Sequence, residues 1–272
     1  MKKLLIVALA TLFVLTGCGS KGSSDDLLTS IKEKGQITVA LSPDYAPYEF
    51  VDPSKTGDAQ YVGADVELAK YIGEKLGVDV VIKPLSFDDI ASAVSLKKYD
   101  IGLSGFTWTE ERAKVIDFSK PYDNSESLCQ GFLVKADNDF ASIDEINDSS
   151  ITVAAQNASV QQMYAEKQVP NATIRPIKQV NNGVLDLSAG KVQAVAISCA
   201  TAEPYIQKDP SLKLSDVKFA ASDEDGTMII VSQGQEDLLN EINTIIEEVK
   251  ANGLYVQWLN EAKDLALSLG VE

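Results

Sequence analysis

The chain has 272 residues, with 40 acids against 24 lysines and arginines and a formal net charge of -16, a balance that repels nucleic acid and anionic lipid headgroups. Histidine is absent and cysteine occurs three times. That excludes Ser/His/Asp and Cys/His nucleophilic machinery and any histidine-ligated zinc site, leaving carboxylates, lysine or tyrosine for catalysis; no metal and no cofactor is expected.

Lys2 and Lys3 precede an apolar run from Leu4 to Leu15, the pattern of a secretory signal and too short to span ~30 Å of hydrocarbon. Leu15, Thr16, Gly17 and Cys18 resemble a bacterial lipobox, which implies a signal peptide over 1–17 and a diacylglycerol on Cys18. A polar tether follows over 18–27. Losing 1–17 removes two lysines and no acid, so the net charge moves from -16 to -18. Cys129 and Cys199 remain in an exported chain, where a disulfide between them and two inert buried thiols are both open.

Strands and helices alternate through the body. Ile37, Val39 and Leu41 read as a strand, Gly63 to Leu76 as an amphipathic helix stopped by Gly77, and Val78 to Ile82 as a second strand, together a βαβ unit with a parallel sheet. Asp88 to Leu96 reads as a helix before the strand Ile101 to Leu103. The plan returns with Ile151 to Ala155, the helix Asn182 to Ala189, and the strand Ala194 to Ile197. Met228 to Val231 is a further strand. Leu238, Ile242, Ile245, Ile246 and Val249 then form one helical stripe, and Leu254 to Leu265 a last helix. Crossings near Leu128 to Val134 and near Phe219 to Gly226 join the halves. The fold class expected is α/β and two-lobed, with lobe 1 over 28–128 plus 225–272 and lobe 2 over 129–224.

The chemistry concentrates in Leu103-Ser104-Gly105-Phe106-Thr107-Trp108-Thr109-Glu110-Glu111-Arg112. Thr109 suits an N-cap and the two glutamates a first helical turn, whereas Arg112 meets the positive end of the helix dipole unless an anion neutralises it. Loop N–H groups, the Thr107 hydroxyl and the Arg112 fork converge on one carboxylate in the functional reading; a surface arginine paired with a neighbouring glutamate is the alternative. Trp108 alternates with Thr107 and is read as packing.

This run resembles the S-G-[MIF]-T-x-T-x-E-R motif of polar amino acid-binding proteins of ABC importers, the family 3 solute-binding proteins of periplasmic-binding-protein type II fold. Ser42 to Phe50, Gly63 to Ala69, and Asp117, Phe118, Ser119, Pro121 and Tyr122 are similar too. The resemblance implies an extracytoplasmic monomer that captures a free polar amino acid and passes it to a permease and its ATPase. It places Tyr45 and Phe87 around the ligand's side chain. Ser104, Gly105, Phe106, Thr107 and Arg112 fall on its carboxylate-binding run, with Gln156, Ala158, Ser159 and Val160 opposite.

Two departures stand out. Ser198 occupies the place of the usual aspartate partner of the α-ammonium, so Glu203 and Asp44 are the nearest substitute acids, and Ser42 replaces an acid that in several relatives reaches a cationic side chain. Ala158 stands where glycine is usual. A dehydratase-like enzyme on the same scaffold, or a sensor or adhesin with a decayed site, are the rival readings.

Overall fold

The structure is a computed structural model that describes residues 26–123, 129–138, 140–220 and 226–270. The signal segment, Cys18 and nearly all of the tether therefore lie outside the described residues, as do parts of both crossings.

The N-terminal half begins with α1 (Leu27–Lys34), β1 (Gln36–Leu41), β2 (Phe50–Val51), β3 (Tyr61–Val62) and α2 (Ala64–Leu76). It continues with β4 (Asp79–Pro84), α3 (Phe87–Ser95), β5 (Ile101–Phe106), the one-turn α4 (Glu110–Ala113) and β6 (Ile116–Phe118). The next segment carries β7 (Gln130–Lys135), α5 (Ile143–Ile146), β8 (Thr152–Gln156), α6 (Val160–Gln168) and β9 (Thr173–Ile177). After it come α7 (Val180–Ser188), β10 (Ala194–Ser198), α8 (Cys199–Lys208) and β11 (Leu212–Lys218), then β12 (Met228–Ser232), α9 (Glu236–Ala251) and α10 (Leu254–Leu269).

Two five-stranded mixed sheets result, one ordered β4-β1-β5-β12-β6 and the other β11-β7-β10-β8-β9. β1 pairs in parallel with β4 and β5, as the βαβ reading requires, and β12 runs antiparallel to β5 and β6. The second sheet repeats this plan, β10 lying parallel to β8 and antiparallel to β7. Elements end within a few residues of expectation, with one consequential difference: β5 runs three residues past Leu103, because Phe106 pairs with Met228 across the ladder. The Ser104–Phe106 stretch is thus strand, held at strand precision rather than in a loop.

Each sheet is buried under helices whose apolar stripes face it. On α9, Leu238, Ile242, Ile245, Ile246 and Val249 are all at most 4% exposed, each contributing roughly 2 kcal/mol by area. Gly63 admits a close approach that positions the site: a Cβ there would lie 2.2 Å from the Tyr48 carbonyl oxygen. With that space free, the Ala64 and Asp65 N–H groups donate to the Pro47 and Tyr48 carbonyls at 3.1 and 2.9 Å, so the N-terminus of α2 docks directly under the Tyr45–Phe50 turn.

The described ends of the two crossings lie side by side. Asp123 and Thr227 form an antiparallel bridge at the edge of the first sheet, and the Phe219 N–H donates to the Gln130 carbonyl at 3.0 Å in the second.

Candidate functional site

A narrow cavity lies between the sheets, walled from the first by Ser42, Asp44, Tyr45, Phe87, Ser104, Gly105, Thr107 and Arg112 and from the second by Gln156, Ser159, Val160 and Ser198. The carboxyl ends of β1, β5, β8 and β10 all empty into it, as ligand crevices in open α/β sheets do. Its enclosed space is about 30 Å³, on the order of two waters. Anything larger is therefore admitted only when the walls part.

Arg112 points inward. Its Nη1 donates to the Thr107 carbonyl at 2.6 Å and its Nη2 crosses the cleft to the Ala158 carbonyl at 2.7 Å. The guanidinium sits 5.5 Å from the Phe87 ring centre and 5.1 Å from that of Phe106. Withdrawal from water pulls it down to about 10, with Glu111 opposing, so it stays cationic at neutral pH. Thr109 caps α4, accepting from the Arg112 N–H at 3.2 Å. Both guanidinium bonds end on carbonyl dipoles, and among the described residues no carboxylate bonds the fork, which suits it to an anion.

Asp44 is an acid of the cavity wall that reaches over the cleft. Its Oδ1 accepts from Ser42 Oγ at 2.6 Å, and its Oδ2 accepts from Gln156 Nε2 at 3.1 Å and from the Val180 N–H, the first residue of α7, at 3.0 Å. Burial pushes its pKa up, and these three donors oppose that. Tyr45 also spans the walls, its hydroxyl accepting from Gln161 Nε2 at 2.9 Å while its ring stacks on Tyr48 with centres 5.6 Å apart. Asn157 Nδ2 donates to Asp88 Oδ2 at 2.8 Å, a further link between α3 and the loop before α6.

Several expectations need correction. The Gly105 N–H does not face the cavity but donates to Asp65 Oδ2 at 3.0 Å, because the positive φ of 59° at Gly105 turns its peptide toward α2. Phe106 is core, 1% exposed and stacked on Phe87 at 4.7 Å, since it alternates inward on β5. Ala158 lies outside the cavity wall and offers its carbonyl to Arg112. Glu203 is no cleft acid: its side chain is half exposed on α8 and meets Lys263 at 3.7 Å. Trp108 is half-buried and outside both the cavity wall and the hydrophobic clusters.

Ser159 caps α6, accepting from the Gln162 N–H at 3.1 Å. Ser198 caps α8 in the same way, accepting from the Thr201 N–H at 3.1 Å and bonding Thr201 Oγ1 at 2.9 Å. Beside it Cys129 and Cys199 are bridged, with Cα atoms 5.3 Å apart.

Tyr48, Glu49, Gln130, Gln161, Gly226 and Thr227 complete the wall and were not among the expected site residues. The signal for Glu49 was a carboxylate inside the apolar stretch Tyr48-Glu49-Phe50. It is 1% exposed, and Ser104 Oγ donates to its Oε1 at 2.5 Å. Beneath it Asp65 accepts from the hydroxyls of Tyr122 at 2.8 Å and Tyr255 at 2.6 Å as well as from Gly105. Burial, reinforced by the Asp65 charge, pushes the Glu49 pKa well above the ordinary carboxylate range.

With this geometry in view, the model of the bacterial extracellular solute-binding proteins, family 3, matches residues 37–261. The chain belongs to that family. The arginine-binding extracellular protein ArtP of Bacillus subtilis (strain 168) is 29% identical over 257 residues, 93% of this chain and 94% of the relative. An amino acid ABC transporter substrate-binding protein from Streptococcus pneumoniae, solved bound to L-arginine, superposes with a TM-score of 0.82 at 30% identity, over 88% of this chain and 98% of the other. The ancestral amino acid-binding protein AncCDT-1, a precursor of cyclohexadienyl dehydratase, gives 0.76 at 29% identity, over 86% and 98%. As a family 3 member the chain has the two-lobed α/β fold of solute-binding proteins, its two sheets facing each other across the cleft.

Proposed function

We propose that this family 3 protein captures a polar L-amino acid between its lobes and delivers it to an ABC permease and its ATPase. The observation that carries the reading is the inward Arg112 guanidinium, held among the described residues by two carbonyls and no acid. In this reading Arg112, the Thr107 hydroxyl and the N-terminal N–H groups of α6 behind Ser159 take the ligand carboxylate. Tyr45 and Phe87 flank its side chain. Lobe 1 is 28–128 plus 225–272 and lobe 2 is 129–224, and closure about the paired crossings buries the guest. The protein works outside the cell as a monomer, lipid-anchored through Cys18, and as a carrier rather than an enzyme.

Titration calorimetry of the mature protein with each of the twenty amino acids tests this. Micromolar binding of at least one, near -8 kcal/mol, is expected, and no heat from any of them removes the proposal. For the anchor, Cys18→Ser should release the protein into the medium.

A dehydratase-like enzyme is the second reading, favoured by two observations: the likeness to AncCDT-1, and a buried cleft acid, Glu49, with tyrosines beside it, the setting a general acid requires. Turnover of a prephenate-like acid would place it first.

A further inference from the structure

A second hollow adjoins the cavity, with Phe87, Arg112, Ser159 and Val160 lining both. It is a groove open to solvent, of about 450 Å³, and its two banks belong to different lobes. The start of α3 and the segment from α4 to Val115 form one bank, and the Asn157–Ser159 loop with α6 forms the other. Two bonds stitch the banks together: Arg112 Nη2 to the Ala158 carbonyl at 2.7 Å and Asn157 Nδ2 to Asp88 Oδ2 at 2.8 Å. Parting the lobes breaks both and separates the banks, so the groove exists only in the closed protein.

A site built for a small molecule encloses most of its guest, whereas this one stays open and holds apolar side chains in water on both banks. Val115 is 48% exposed and Met163 41%, and they share the lining with Phe106 and Val160. Apolar surface of this kind, rimmed by polar groups, marks a protein contact. Charge sets the chemistry of the partner. Asp88, Glu111 and Glu166 are the acids of the lining and Arg112 its cation, and that guanidinium is committed to two carbonyls. Lys178 acts on Asp88 from outside the lining. Asp88 Oδ1 is buried with no hydrogen-bond partner among the described residues. Acids around apolar side chains fit a segment that presents lysine or arginine beside apolar residues, and they repel an anionic lipid surface.

Resting on the importer reading above, we propose that this seam is where the closed protein docks on its permease, through an extracytoplasmic permease segment carrying a basic side chain between apolar ones. Because the banks meet only on closure, the permease reads capture of the guest and not the mere presence of the protein. The dependence also runs backwards: a partner that takes only the closed form tightens the hold on the amino acid by the factor by which the amino acid tightens docking.

The test begins with calorimetry against the twenty amino acids to find the one bound. Its radiolabelled uptake is then followed in cells whose only copy of the protein carries Val115→Glu, Met163→Glu or Glu166→Lys. None of these side chains lines the amino acid cavity, so affinity should stay at the wild-type value while uptake falls roughly tenfold, the weight of one central contact residue. Leu185→Glu and Val256→Glu, on exposed residues away from the groove, should leave uptake unchanged. A photo-crosslinking side chain in place of Met163 should join the permease when the amino acid is supplied, with little adduct in its absence. Four outcomes overturn the docking site and leave amino acid capture standing: wild-type uptake in all three variants, an equal loss in the two controls, a loss of uptake that only follows a loss of amino acid affinity, or an adduct indifferent to the amino acid. No binder among the twenty removes both.

Discussion

The Asp44 carboxylate of one lobe accepts the Val180 N–H of the other at 3.0 Å, placing an anion of the first sheet at the N-terminus of the nine-residue α7. The helix dipole and the Gln156 amide make this a charge-assisted latch. Asp44→Asn keeps the shape and removes the charge. It should weaken closure of the unliganded protein by about 1–2 kcal/mol, roughly a five- to thirtyfold shift toward open forms. Small-angle scattering or a dye pair across the cleft reads this directly, and an unchanged distribution would show the latch to be idle.

For Arg112 the expected effect is on binding rather than on folding. Arg112→Met retains the stem that packs over Phe87 and Phe106 but deletes the fork, and should lower amino acid affinity by about 2–4 kcal/mol, some 30- to 1000-fold. Because the guanidinium titrates near 10, this arm of binding is constant through neutral pH and fades as pH climbs past that value. Calorimetry of the variant settles the point, and wild-type affinity would show that the carboxylate is held elsewhere.

The Cys129–Cys199 bridge closes a loop of 70 residues, which by chain entropy stabilises the fold by about 4 kcal/mol. Reduction, or the double change to serine, should lower the melting temperature by roughly 10 °C. Since the bridge joins the start of the second lobe to the helix behind Ser198, ligand affinity should fall with it. Melting curves with and without dithiothreitol test the first claim, and titrations under both conditions the second.

Ala158 has a φ of 59°, the left-handed conformation that disfavours a Cβ. Ala158→Gly should leave the Arg112 contact in place and raise stability by about 0.5–1 kcal/mol, the relief of backbone strain less the extra freedom of the unfolded glycine. Denaturant midpoints at constant slope measure it, and a loss of stability would mean that the methyl packs usefully.

Much of this architecture could be read in advance, for reasons visible in particular residues. The stripe on α9 and the glycine stops at Gly77 and Gly253 are local patterns, and each has one structural outcome. Arg112 was legible because a cation at the start of a helix calls for an explanation within its own segment. Glu49 showed only as a carboxylate inside an apolar stretch, and its place in the wall depends on tertiary neighbours such as Ser104, 55 positions along, which donates to it. Gln161 and Gln130 are likewise ordinary polar residues until tertiary packing joins them at 2.8 Å. The bond direction of Gly105 was misjudged for the same reason: motif spacing identifies a wall residue but not which neighbour receives its N–H.

The strand order of the first sheet carries a consequence for biogenesis. β12, from the last fifth of the chain, lies between β5 and β6, so that lobe stays incomplete until most of the polypeptide has crossed the membrane. The sheet of β7 to β11 is contiguous and free to condense while the tail is still threading, as favours shorter loops. The hand that grips Asp44 is thus made before the hand that offers it.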